Sequence, residues 1–270
     1  MAETTEPANL ALAALYRYPV KGLSPEPLKR TILSPGECVP QDRRFAIALP
    51  STRFDPRRPE WLAKTHFVML MRDEALAQLR TRFDDAGGVL AIERDGRLLL
   101  RETITEPGGK ERVARFLSEF LGGAVSGPLR IIEAPGHAFA DARRKPNATT
   151  GKYVSLISRA SLAALAACAG APVDPLRFRA NVYFDGAPAW RELEWIGKVI
   201  ALGTARLRVL SPITRCAATE VNPATAERDL DALGCLRRGF GHNLMGIYAE
   251  VQAGGEIAVG DPLTVSAGMG

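Results

Sequence analysis

The chain has 270 residues, 46% apolar and 24% charged, which places it among globular proteins and excludes disordered and fibrous classes. No apolar run reaches the ~18–20 residues of a membrane span, and the acidic opening "MAETTEPANLALAAL" lacks the basic start of a secretory leader, so no membrane span and a cytoplasmic location are expected. The net charge of +5 is scattered in short groups such as "PRRP" and "ARRKP", with few aromatics, which favours arginines converging on a small anion over nucleic acid as partner.

Leu10 to Tyr18 reads as a strand that Pro19 ends, running into a turn at "KGLSPEP". "RRFAIALP" and "HFVMLMR" follow as buried strands. Asp73 is then expected to cap a helix through Phe83, with Leu76, Leu79 and Phe83 on one side. "VLAIERDGRLLLRE" has alternating arms around Asp95-Gly96, the pattern of a hairpin with a two-residue turn. A second amphipathic helix is predicted from about Lys110 to Leu121, with Val113, Phe116, Leu117, Phe120 and Leu121 together.

"LGGAVSGP" breaks the pattern and suggests a boundary. After the strand "LRIIEA", the stretch "GHAFADARRKPNATTGK" has the composition of a surface loop beside a site. "YVSLIS" leads into a helix capped at Ser158 that carries Leu162 and Leu165. Strands are then expected at "NVYFDG", "KVIALG", "TARLRVL", "CAATEV", "LMGIYAEV" and "PLTV", with a short helix from about Ala226 to Leu233. Short strands joined by glycine turns favour an α+β, mainly β, chain built on a barrel.

Cys38, Cys168, Cys216 and Cys235 form no Cys-x-x-Cys pair, and His66, His137 and His242 are equally dispersed, so a structural zinc site is not expected. The thiols are expected to be reduced. Cys235, Cys38 and Cys168 read as structural, His242 as either a loop residue or a proton donor, and Asp261 as a turn former. Cys216 stands apart because Arg215 precedes it. A neighbouring cation favours the thiolate, which is both a nucleophile and a soft metal ligand.

The segment "SPITRCAATEVNPATAERDLDALGCLRRGFGHNLMGIYAEVQAGGEIAVGDPLTV" resembles the MOSC domain, the module shared with the C-terminal part of molybdenum-cofactor sulfurases. "LYRYPVKGLSPEPL" and "QDRRFAIA" are similar to the N-terminal β-barrel domain that accompanies MOSC in the amidoxime-reducing components and their bacterial relatives. The resemblance runs from about residue 10 to 266. It implies a MOSC β-barrel at 126–267 and a smaller β-rich domain with peripheral helices at 10–125.

By the same resemblance the cofactor is a molybdenum–pyranopterin, and Cys216 is the metal's protein ligand and the catalytic residue. Lys21 of "YPVK" and Arg43 of "DR" hold the pterin phosphate, Arg179 and Asn181 of "RFRAN" lie near it, and Thr214, Arg215 and Gly22 complete the cofactor site. Three departures from the family pattern are Gly22 in place of serine, with Ser24 near enough to substitute, Ala180 in place of proline, and "NPATA" in place of "DPxTG". Physical chemistry points the same way, since a phosphorylated dithiolene is strongly anionic and needs cations from several segments.

The implied activity is reduction of N-hydroxylated or N-oxide small molecules, with electrons from a separate donor protein of ferredoxin, flavoprotein reductase or cytochrome type. Pyridoxal phosphate binding is a further expectation. Two alternatives stand beside the enzyme: a sulfur carrier holding a persulfide on Cys216 for metal–sulfur cofactor assembly, and a non-catalytic module with an empty pocket.

Overall fold

The computed structural model describes residues 9–122, 125, 127–146 and 148–266; Gly123, Ala124 and Ser126 of the expected boundary and Asn147 of the expected loop lie outside them. In chain order the elements are β1 (Ala11–Arg17), β2 (Glu26–Leu28), β3 (Arg30–Leu33), β4 (Ala46–Ala48), β5 (Arg80–Asp84), β6 (Val89–Arg94), β7 (Arg97–Thr103) and α1 (Pro107–Leu121). There follow β8 (Arg130–Ile132), β9 (Val154–Ser158), α2 (Arg159–Ala169), β10 (Val182–Asp185), β11 (Val199–Leu202) and β12 (Ala205–Thr214). The last are α3 (Ala232–Phe240), β13 (Leu244–Ala253), β14 (Gly255–Ala258) and β15 (Leu263–Ser266). The molecule is α+β and mainly β, as expected.

Eight strands form one sheet in the order β15-β11-β12-β13-β9-β10-β1-β2. Within this sheet, among the described residues, β9 and β10 are the pair that runs parallel, with α2 as the start of their crossover. The sheet curls until Ala11 of β1 bridges Pro262, just before β15, and Leu12 donates to the Asp261 carbonyl at 2.9 Å. Alternation along β12 and β13 turns Leu207, Val209, Ile247, Ala249 and Val251 inward around the fully buried Trp195. Each large apolar side chain buried this way contributes about 1.5–3 kcal/mol.

A second core runs from Val20 to Ile131, between the hairpin sheet β5-β6-β7, α1 and the short pair β4-β8. The hairpin forms because Asp95 and Gly96 both adopt positive φ, at 53° and 76°, so the turn matches the twist of its arms. Helix α1 starts at Pro107, buries Val113, Leu117 and Leu121 at four-residue spacing, and ends at Gly122. Among the described residues no helix is long and apolar enough to cross a membrane.

Four sequence expectations are corrected. "HFVMLMR" is not a strand beyond a single bridge from Phe67 to Ala48, because the backbone turns at Met69, whose N–H donates to the Asp73 carboxylate at 3.0 Å. Asp73 therefore caps no helix; a 3-10 turn covers only Glu74–Gln78, and Thr81 and Phe83 are buried by the two-residue alternation of β5. "CAATEV" is a 3-10 turn over Ala217–Glu220 with Cys216 at its N-cap. The helix expected at 226–233 begins instead at Ala232, since Ala226 sits at φ 65° and Asp231 supplies the cap, accepting from the Gly234 N–H at 2.8 Å. At α2 the helix is where expected, but the Ser158 hydroxyl makes no capping bond.

Candidate cofactor site

Every residue expected in the site lines one cavity of about 540 Å³: Lys21, Gly22, Arg43, Arg179, Asn181, Thr214, Arg215 and Cys216. They reach it from four separate stretches of chain. Lys21 and Gly22 follow β1, where Val20 bridges Phe45 and the Lys21 N–H donates to the Phe45 carbonyl at 2.8 Å. Arg43 enters through the turn before β4, its N–H bonded to the Tyr18 carbonyl at 2.7 Å. Arg179 and Asn181 precede β10, and Thr214 to Cys216 leave the end of β12.

Tyr18 organises the cations. Its ring, wholly buried, lies 4.6 Å from the Arg43 guanidinium carbon and 4.4 Å from that of Arg179, and its hydroxyl donates to the Ala180 carbonyl at 3.1 Å. Arg43 Nη2 donates to the Arg179 carbonyl at 2.9 Å, and Arg179 Nη1 to the Leu23 carbonyl at 2.7 Å. Both arginines hold left-handed backbone, at φ 52° and 53°. That conformation costs a non-glycine residue about 1 kcal/mol or more and recurs where side chains are aimed at a site.

The electrostatics are strongly one-sided. Eight basic side chains line the cavity, with Lys64, Arg143, Lys145 and Arg177 joining the four expected ones, against the carboxylates Asp42 and Asp141. Burial, with Arg43 adding to it, brings the Arg179 guanidinium down to about 10, still charged at neutral pH. For Arg43 burial is outweighed by the adjacent Asp42 carboxylate, and its pKa is raised. Lys21 is 7% exposed; its Nζ donates to the Phe139 carbonyl at 2.9 Å and pairs with Asp141. Burial would raise the Asp141 carboxyl, but Lys21, Arg43 and Lys64 hold it below the usual carboxylate range.

Cys216 is half-buried at the cavity wall. Its carbonyl accepts from the N–H and the hydroxyl of Thr219, both at 3.0 Å, which fixes the turn that presents the thiol. Arg215 does structural work beside it. Its guanidinium donates to the Met245 carbonyl at 2.9 and 2.5 Å and to the Phe178 carbonyl at 2.8 Å, locking the end of β12 to β13 and to the 178–181 turn. Asn181 is likewise committed: its Oδ1 accepts from the N–H and hydroxyl of Ser155, and its Nδ2 donates to the Tyr16 carbonyl at 3.2 Å. It shapes the wall, while the exposed Thr214 leaves its hydroxyl at the cavity.

Several cavity residues were not anticipated. Asp42 lies inside the quoted "DR" motif, so adjacency was the available signal, and it accepts from the N–H of Tyr18, which is buried behind the cavity wall, at 2.8 Å. Tyr248, on β13, puts a phenol at the cavity that burial keeps protonated. His242 goes elsewhere: its ring packs against Trp190 at 5.1 Å and its Nδ1 accepts from the Leu244 N–H, away from the cavity lining. Ser24 bonds Thr81 and faces a neighbouring apolar pocket, so it does not replace the family's serine at position 22. Asp261 is the turn former expected, accepting from the Ala258 N–H at 2.8 Å.

Residues 137–264 match the family model described as the MOSC domain. The chain carries a MOSC domain. It contains Arg179, Asn181, Thr214, Arg215 and Cys216, whereas Lys21, Gly22 and Arg43 precede it, so the MOSC part supplies the sulfur and both parts supply cations. Among solved structures the chain is similar to the YUAD protein from Bacillus subtilis, at 14% identity over 98% of this chain and 99% of that one, with a TM-score of 0.47. It is also similar to YiiM from Geobacillus stearothermophilus, at 21% identity over 42% of this chain and 53% of that one, with a TM-score of 0.33. No curated protein matches the chain. MOSC domains are related to the C-terminal part of molybdenum-cofactor sulfurases and are associated with binding that cofactor in general.

The donor set of the MOSC cavity fits such a group. It offers a thiol suited to a soft metal and a surplus of cations, most of them buried or half-buried, suited to a phosphate.

Proposed function

We propose that this MOSC protein holds a molybdenum–pyranopterin in the cavity and removes oxygen from N-hydroxylated or N-oxide small molecules, with electrons from a separate donor protein. The observation that supports it is the meeting of Lys21, Arg43 and Arg179 with Cys216 around one 540 Å³ space. The family match lends no support to pyridoxal phosphate, which is set aside.

Lys21 and Arg43 would hold the phosphate, with Arg179 beside it, each as a charge-assisted donor. Cys216 would hold the metal through its sulfur. The bound group supplies two-electron oxygen-atom transfer, and the protein supplies position, field and access. Asp42 keeps Arg43 charged and aimed, Tyr18 spaces the two guanidiniums, and Arg215 fixes the backbone on which Cys216 stands. Tyr248 holds a proton at Oη beside the cavity, where leaving oxygen requires one.

The test is turnover. Protein made in a host that synthesises the cofactor should reduce a benzamidoxime-type substrate with a chemically reduced viologen dye, and Cys216→Ser should lose that activity by at least ~100-fold. Equal turnover by the wild type and Cys216→Ser would overturn the assignment.

A further inference from the structure

Two of the cysteines outside the cavity are neighbours. Cys168, in the last turn of α2, is exposed, and its thiol donates to the Cys235 carbonyl on α3 at 3.5 Å. Gly239 lies one turn on from Cys235, and a Cβ there would stand 2.5 Å from the Cys168 sulfur, so the missing side chain makes the seat for that thiol. Cys235 is buried, with Arg238 Nη2 at 3.8 Å from its sulfur. Burial, with the neighbouring Cys168 sulfur adding to it, pushes the Cys235 thiol up and keeps it protonated at rest. The exposed partner is thus the one an oxidant reaches first, and the buried one stands behind it.

We propose that Cys168 and Cys235 form a reversible dithiol–disulfide site that reacts with hydrogen peroxide and staples α2 to α3. In the first step the Cys168 sulfur takes one peroxide oxygen as the O–O bond breaks, giving a sulfenic acid and one water. The Cys235 sulfur then attacks that sulfur: an S–S bond forms, the S–O bond breaks, and hydroxide leaves as a second water with the Cys235 proton. Two thiols lose two electrons and one peroxide gains them. A dithiol reductant reverses the change. Neither cysteine lines the cavity, so the site is independent of any cofactor.

The experiment is peroxide treatment of the full-length protein, alkylation, and peptide mapping by mass spectrometry with and without dithiothreitol. The expected result is a Cys168–Cys235 linked peptide pair lacking two hydrogen atoms, separated by dithiothreitol and absent from Cys168→Ser, with two of the four thiols lost from the wild type. Three results would overturn the proposal: Cys168 carried to sulfinic or sulfonic acid while Cys235 remains a thiol, a bridge between Cys168 residues of two molecules, or pairing that involves Cys38 or Cys216 instead.

Discussion

Gly22 marks a point where one residue's backbone decides what the site can contain. Its φ of 90° lies in the left-handed region, and a Cβ there would meet the Val68 carbonyl oxygen at 3.3 Å and Leu76 Cδ1 at 3.4 Å. A serine at this position would press its Cβ against Val68 and Leu76 and strain the turn that carries Lys21. Gly22→Ser should therefore lower stability by about 1–2 kcal/mol in urea denaturation. No change in the midpoint would show that the turn relaxes freely and that Lys21 is not held by it. Lys21, Arg43, Arg179 and Cys216 were legible because each sits in a short motif whose chemistry is local. Asp141 and Tyr248 were not, since nothing near them in sequence reveals that Lys21 and the cavity face them across the fold.

Strand β13 ties the 136–152 loop to the sheet through the Glu250 carboxylate. Glu250, 3% exposed, accepts from the Thr149 N–H at 3.1 Å, the Thr149 hydroxyl at 2.9 Å and the Thr150 N–H at 2.8 Å. Burial would raise its pKa, but these donors outweigh it and hold the carboxyl below the usual range. The folded state thus binds the proton less readily than the unfolded one. The stabilisation is complete above the unfolded value of about 4.3 and is lost as pH falls through the lowered folded value. Glu250→Gln should cost about 1–3 kcal/mol, flatten that acid limb, and speed amide exchange at Thr149 and Thr150. An unchanged acid limb would remove Glu250 as the loop's anchor.

Elements were legible where sequence pattern and turn chemistry agreed, as in the Asp95-Gly96 hairpin and in α1. They were not between 66 and 83, where Leu76, Leu79 and Phe83 satisfy a helix spacing although Leu79, Thr81 and Phe83 alternate as a strand entry. The deciding fact there is tertiary: β5 has β6 to pair with. In the same way "CAATEV" has strand-forming composition, yet its backbone turns because Thr219 bonds back to the Cys216 carbonyl.

At the scale of the whole molecule, β1 and β2 complete the eight-stranded sheet even though they precede the MOSC match. Residues 126–267 produced alone would leave the β10 edge, which pairs with Leu12 to Leu15, open to other chains. That fragment should aggregate, or unfold at clearly lower urea concentration than the intact chain; a monomeric fragment as stable as the full protein would show that the sheet does not need its N-terminal strands. The site depends on the same joining, because Lys21 and Arg43 approach Cys216 only when the N-terminal strands are in place.

The most direct test of that convergence is elemental and pterin analysis of the wild type and of Cys216→Ser, both purified from a host that makes the cofactor. The account predicts about one molybdenum and one pterin per wild-type chain, with the metal lost from the variant. Wild-type protein free of molybdenum but carrying a labile extra sulfur on Cys216, or a variant that keeps the full complement of metal, would contradict it.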